Sequence, residues 1–255
     1  MLAFGDSITN GGGELQWGVA LQSWALWTAR ALGLPYTGYA VDGAVVSDVV
    51  AEQIPGFERT NAAPDARYDL GCVYIGVNDV RRIDWDPDAF RAGIESTLQF
   101  LHGRCDRVLT MTAPLRLGLP AAGPEVQRLN AIIREAGTRS GALVVDLSAF
   151  GARNHLMTDR VHPTAFGQIA IAERALAVLE RDGLVARAAP SSMIRYQPSR
   201  RQKLRGDWTY LYRTLKLRAG AAGVRRRPTR AGGTSPGRPA APAPVAGPRA
   251  ARRPG

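Results

Sequence analysis

Cysteine is almost missing from this chain. Cys72 and Cys105 are the only two in 255 residues, too few for a disulfide framework, and Cys72, inside an apolar run, reads as a small core residue. Histidine is nearly as scarce, with three in all: His102, His155 and His162. Sites for two metal ions usually draw on several histidines. A metallophosphoesterase with Asp6, Asn78, Asp79, Asp159 and His162 as ligands is therefore disfavoured, and no metal or cofactor is expected. Long apolar runs are missing too. No stretch reaches the roughly 18 apolar residues of a membrane span. The run before Gly5 is too short for a signal peptide and lacks a basic flank. The sequence as given therefore predicts a cytoplasmic protein, although a strand so close to the first residue is also compatible with a start further upstream. Gly11-Gly12-Gly13 lacks the Gly-Lys-Ser/Thr that would make it a phosphate loop, so it is expected to give its loop shape or mobility.

The last absence is of acids near the C-terminus. Residues 191–255 hold 16 Lys and Arg against one acid, Asp207, whereas residues 1–190 hold 17 against 21. The net charge of +11 is thus a property of the tail, on a mildly acidic body. Any partner that basic charge implies, a polyanion or an anionic surface, attaches to the tail alone. From 219 on the chain is mostly Ala, Gly, Pro and Arg, with Val224 and Val245 as its only larger aliphatics. Such a segment cannot bury enough apolar surface to offset its ordering entropy, and 219–255 is expected to be disordered. A basic extension, 186–218, precedes it. There a short helix is expected over 207–217, with Asp207 as its cap and Trp208, Leu211, Tyr212 and Leu215 on one face. Residues 1–185 are left as the main domain.

In that domain apolar runs alternate with helical patterns. Strands are expected at 1–4, 36–41, 70–75, 107–112 and 142–147, and helices at 19–32, 46–54, 87–102, 124–139 and 164–182. Pro87 opens one helix; Thr164 caps the last and Gly183 ends it. Strands alternating with helices of this length predict a parallel sheet with right-handed crossovers. Continuously apolar strands such as 72–75 imply that both faces are covered. The expected fold is a three-layer α/β/α sandwich, flavodoxin-like, with about five strands.

Four short blocks fall at the ends of these elements. Gly5-Asp6-Ser7-Ile8 leaves the first strand, Asp42-Gly43-Ala44 follows the second, Gly76-Val77-Asn78-Asp79 follows the third, and Asp159-Arg160-Val161-His162-Pro163 precedes the last helix. Each alone is an ordinary turn. Ser, Gly, Asn and Asp-x-x-His in this order resemble the blocks of the SGNH hydrolase family, also called GDSL-type esterases and lipases, over about residues 1–185. The resemblance implies a catalytic serine at Ser7 and an oxyanion hole made by the Ser7 and Gly43 backbone N–H groups and the Asn78 side chain. One departure stands out: many members carry an asparagine a few residues before the block-two glycine, and here Gly38 occupies that position. The missing side chain is expected to loosen the loop presenting Gly43.

The chemistry of the residues agrees with this assignment. A serine hydroxyl needs a base to take its proton, and a neutral imidazole at His162 can do so near pH 7. Asp159, three residues earlier, can fix the tautomer and stabilise the imidazolium. His155 and His102 lack such a carboxylate and are expected to be surface residues. Asp6 and Asp79 read as organisers of their loops. The implied activity is hydrolysis of carboxylic esters, with short acyl or acetyl groups favoured because no long apolar lid is seen. Trp17 and Trp85 are the candidate walls for substrate. The rival reading is a non-catalytic binding module of the same fold whose basic tail binds polyanions.

Overall fold

The computed structural model describes residues 1–15, 19–60, 66–119, 121–152, 154–194 and 199–225. Five parallel strands form one sheet: β1 (Leu2–Gly5), β2 (Thr37–Gly38), β3 (Tyr68–Tyr74), β4 (Cys105–Met111) and β5 (Leu143–Val145). Their spatial order is β2-β1-β3-β4-β5, the flavodoxin-like arrangement expected. The chain runs outward from β1 to β2, then crosses back over β1 to β3. Loops leaving β1 and β3 therefore diverge, and the crevice between them is where such sheets bind ligands.

Helices cover both faces. On one side α2 (Trp24–Leu32) packs against α7 (Ala165–Arg181). On the other, α5 (Pro87–Arg104) packs against α6 (Glu125–Ser140) and against α3 (Val46–Asp48). Burial from both sides explains why β1 and the inner part of β3 are apolar at every position: Leu2, Phe4, Leu70, Cys72 and Val73 are all fully buried. Phe4, Phe57 and Phe100 meet edge-to-face, with centroids 5.9–6.3 Å apart, a geometry that adds to their area burial. Both cysteines are free and buried. Desolvation pushes the Cys105 thiol up to about 12, and that of Cys72 higher still, so both stay protonated.

Helix boundaries follow the capping chemistry. The Ser23 hydroxyl accepts from Leu26 N at 3.1 Å, so α2 begins at Trp24 rather than at 19. Asp86 caps α5 ahead of Pro87, and Thr164 caps α7 by accepting from Gly167 N at 3.1 Å. The segment expected as a helix over 46–54 continues to Thr60: α3 leads into a π-helical turn, Val49–Gln53, and then α4, Ile54–Thr60. Pro55 has no N–H to offer the carbonyl four residues back, and the widened turn spans that point. The strand expected at 36–41 narrows to Thr37–Gly38, although Tyr39 N and Val41 N still donate to Ala3 O and Gly5 O.

The C-terminal helix differs most from expectation. It is α8, Arg200–Arg225, far longer than 207–217, and its last turns include residues expected to be disordered. Its cap is Ser199, not Asp207. Gln202 N donates to Ser199 Oγ at 3.3 Å, and Ser199 N donates to Gln202 Oε1 at 2.8 Å, a reciprocal capping box. The remainder of the expected tail, 226–255, lies outside the described residues. Among the described residues no helix is long and apolar enough to cross a membrane.

Candidate active site

Gly5 is the last residue of β1, and its backbone is clamped from the side. Gln53, at the end of the π-helical turn, accepts from Gly5 N at 3.0 Å and donates to Gly5 O at 2.8 Å. Gly5 has φ of +147°, and a Cβ there would lie 2.4 Å from Tyr74 O. Asp6 then caps a single helical turn, α1 (Ser7–Asn10), its Oδ1 accepting from Ile8 N at 2.9 Å. Ser7 is the first residue of that turn, so its own N–H has no intrahelical acceptor.

Across the crevice, the segment Met157–Pro163 forms a tight loop. Arg160 N donates to Met157 O at 3.0 Å, and Met157 N to His162 O at 2.9 Å. The loop closes because Arg160 takes the left-handed conformation, φ +57°, at a cost of about 1 kcal/mol for a residue with a Cβ. This curl points the Asp159 carboxylate back at its own backbone. Oδ1 accepts from Val161 N at 2.9 Å and His162 N at 3.1 Å, while Oδ2 meets His162 Nδ1 at 2.7 Å. The other ring nitrogen, Nε2, lies 3.0 Å from Ser7 Oγ. Ser7, His162 and Asp159, 155 residues apart at the extremes, thus form one hydrogen-bonded chain.

The electrostatics suit that chain. The Asp159 hydrogen bond raises the His162 imidazole above its ordinary value, against burial that lowers it. Burial alone would raise Asp159, but the bonds from the His162 ring and from the Val161 and His162 N–H groups outweigh it and hold the carboxyl below the usual range. Asp6 is different. It is fully buried, its Oδ2 has no partner among the described residues, and desolvation lifts it to about 7. Asp79 is similar: Oδ1 accepts from Val46 N at 2.9 Å, and burial lifts the group to about 6. Both bond backbone, as organisers of their loops should.

Gly43 and Asn78 sit on neighbouring loops, and Asn78 Nδ2 donates to Ala44 O at 3.0 Å. That bond uses one of two amide protons. Gly43 has φ of +79°, and a Cβ would meet nothing within 4 Å. The need for glycine there lies in the backbone angle, not in crowding. The loop before it is tied, not loose: Val41 N donates to Gly5 O at 3.1 Å, and Asn10 Nδ2 to Asp42 Oδ1 at 2.9 Å. At Gly38, a Cβ would lie 2.6 Å from the Tyr36 hydroxyl, so the tyrosine fills the space the missing side chain would take.

The glycine run supplies shape. A Cβ on Gly12 would lie 2.8 Å from Ser7 O, and one on Gly13 only 2.1 Å from Pro163 O. The loop is therefore pressed between the serine turn and the histidine loop. Glu14 O continues the contact by accepting from Ala165 N at 2.9 Å. Sequence reasoning missed Gln168. It is wholly buried, accepts from Trp24 N at 2.8 Å, and donates to Ile8 O at 3.0 Å and Gly12 O at 3.1 Å. It ties α7 to α2, to the turn carrying Ser7 and to the glycine loop. A polar residue on the apolar face of a predicted helix was its one signal, and the same holds for Gln53.

The remaining candidates stand apart. Trp17 lies outside the described residues. Trp85 lines a cavity of about 620 Å³ beside Asp79, Val46 and Phe90. His155 is not a solvated surface residue: it is half-buried, stacked on Phe150 at 5.5 Å, and burial lowers its pKa. His102, in the last turn of α5, is half-buried too. Among the described residues no three His, Cys, Asp or Glu side chains are disposed to hold a metal ion.

Sheet order, crevice and strand-end serine place the chain among the α/β hydrolytic enzymes. Residues 3–169 match the GDSL-like lipase/acylhydrolase family; the chain belongs to that family and is an esterase. No curated protein sequence matches it significantly. Solved structures do. LAE5, an alpha/beta hydrolase enzyme from the metagenome of Lake Arreo, Spain, is 20% identical, with a TM-score of 0.56 over 70% of this chain and 94% of that one. Axe2, an acetylxylan esterase from Geobacillus stearothermophilus, is also 20% identical, with a TM-score of 0.54 over 70% and 92%. Identities this low establish a shared fold.

Proposed function

We propose that the protein hydrolyses short-chain acyl or acetyl esters through an acyl-enzyme on Ser7. His162 Nε2 takes the hydroxyl proton as Oγ bonds to the ester carbonyl carbon, and the carbonyl oxygen becomes an oxyanion. The N–H groups of Ser7 and Gly43 and the second amide proton of Asn78 stabilise that charge. As the tetrahedral species collapses, His162 gives its proton to the departing alcohol. Water then enters by the reverse route and releases the acid. Asp159 holds the ring with Nδ1 protonated and stabilises the imidazolium between transfers.

The observation that carries this reading is the unbroken chain from Ser7 Oγ through His162 to Asp159, with both links at 3.0 Å or less. The catalytic mutants of Axe2 with solved structures replace a serine, a histidine and an aspartate by alanine, the same three residue types. That Axe2 is an acetylxylan esterase favours acetyl esters here. The cavity beside Trp85 is the proposed site for the remainder of the substrate.

Steady-state kinetics on an aryl acetate test the mechanism. Ser7→Ala should lose several orders of magnitude in kcat while keeping the native circular dichroism. Asn78→Ala should lower kcat by roughly 100- to 1,000-fold with little change in KM, as other oxyanion donors do. Near-normal turnover by folded Ser7→Ala protein would refute the mechanism.

A further inference from the structure

The helix α8 presents two unlike faces. One is polar and lies on the domain at the catalytic end of the sheet. Gln202, Arg205, Thr209 and Arg213, spaced three and four apart, line a cavity of about 340 Å³ shared with Glu14 and Met157. Arg213 Nη1 bonds Glu14 Oε1 there at 2.7 Å. The other face is apolar and points away from the protein. Leu204, Trp208, Leu211 and Leu215 recur at intervals of four, three and four, which stacks them in one stripe, with Tyr212 beside it. They are 46–71% exposed. This inverts the usual arrangement, in which a helix docks by its apolar side.

Basic residues border the stripe. Arg200, Arg201 and Lys216 lie along it, and α8 as a whole carries eight Lys and Arg against one acid, Asp207. We propose that this outward face is a docking surface for an anionic lipid bilayer, with α8 lying in the interfacial plane. Leu, Trp and Tyr would enter the headgroup–acyl boundary while the flanking cations meet lipid phosphates. The helix is about 39 Å long at 1.5 Å per residue and too charged to span.

Charge decides against two other occupants. A second copy of the chain pairing stripe to stripe would bring Arg200, Arg201 and Lys216 of each helix against the same cations of the other, with one aspartate per helix to offset them. Nucleic acid would satisfy the cations through its phosphates but leave the leucines and Trp208 in water. A bilayer satisfies both sets of groups. The inference does not depend on the esterase mechanism, because its readout is binding.

The test uses full-length protein and sedimentation with vesicles of phosphatidylcholine alone or mixed with phosphatidylglycerol. The unmodified protein should bind the mixed vesicles, and rising salt should weaken that binding. The variant L204Q/L211Q/L215Q alters only solvent-facing positions. It should keep the native circular dichroism and melting temperature and lose at least about tenfold in partitioning. Equal binding by this variant, or no binding of the unmodified protein to anionic vesicles, would overturn the proposal. So would a lipid-free dimer that the variant dissociates, which would make a second copy the occupant. Tight binding of duplex DNA, lost in the variant, would make nucleic acid the occupant.

Discussion

At the scale of the residue, the proposed mechanism makes the protonation state of His162 set when Ser7 can be activated. Only the neutral ring accepts the serine proton, and the Asp159 bond raises the ring's pKa above its usual value. The activity limb should therefore rise with pH to a plateau, with a midpoint above the roughly 6.5 of a free imidazole. Asp159→Asn should lower both the plateau and the midpoint, because the charge that favours the imidazolium is gone. A pH profile of kcat/KM for both proteins checks this, and a midpoint unmoved in Asp159→Asn would count against the pair. Asp6 makes an opposite demand on the fold. Its folded pKa of about 7 stands above the roughly 3.9 of an unfolded aspartate, so the folded state holds a proton that the unfolded state releases. Stability is then lost as pH rises through that window. Asp6→Asn retains an oxygen to cap Ile8 N and removes the buried charge. Thermal melts should show it more stabilising, relative to the unmodified protein, at pH 8 than at pH 5; an equal effect at both would mean that Asp6 does not titrate in this range.

At the scale of the element, two buried glutamines hold the site's parts in register. Gln53 locks the end of β1, and Gln168 joins α7, α2, the serine turn and the glycine loop. Gln168→Ala would leave three backbone groups without their partner, a loss of about 2–4 kcal/mol at the usual net value for each bond. Gln168→Glu would instead bury a charge beside two carbonyl oxygens. Denaturant unfolding should therefore rank the unmodified protein above Gln168→Ala, and both variants should lose kcat as Ser7 drifts from His162. Unchanged stability in Gln168→Ala would show that these bonds are replaced by water. Neither glutamine belongs to a motif. Each makes sense only once α7 and the π-helical turn have been packed against the loops they bond, which is why a chain-wise reading passes over them.

At the scale of the whole molecule, the esterase family match and the excess basic charge fall on different parts of the chain. The family match ends at residue 169, and every residue proposed for catalysis lies at or before His162. Deleting 226–255 should accordingly leave ester hydrolysis and melting temperature nearly unchanged, as measured by the same aryl acetate assay and by differential scanning calorimetry. A melting temperature lowered by many degrees would show that the segment is part of the folded body. Deleting α8 as well is a different experiment, since Arg213 and its neighbours touch Glu14 beside the glycine loop.

The sequence alone determined the sheet and pointed to the groups proposed to react. Apolar runs alternating with helical periodicity admit few solutions besides a covered parallel sheet, and the strand-end blocks named Ser7, Gly43, Asn78, Asp159 and His162 because that chemistry uses distinctive residue types in a distinctive order. Helix ends were less legible, since Ser23 and Ser199 act as caps only through bonds to particular N–H groups. Tertiary structure decided everything that depends on which surfaces meet. It made Tyr36 fill the space at Gly38, pressed Gly12 and Gly13 between the serine turn and the histidine loop, buried Asp6 far enough to shift its titration, and turned the apolar stripe of α8 outward. Periodicity shows that a helix has an apolar face. The direction of that face is set by whatever packs on the opposite side, here the carboxylate of Glu14, 199 residues before its partner Arg213.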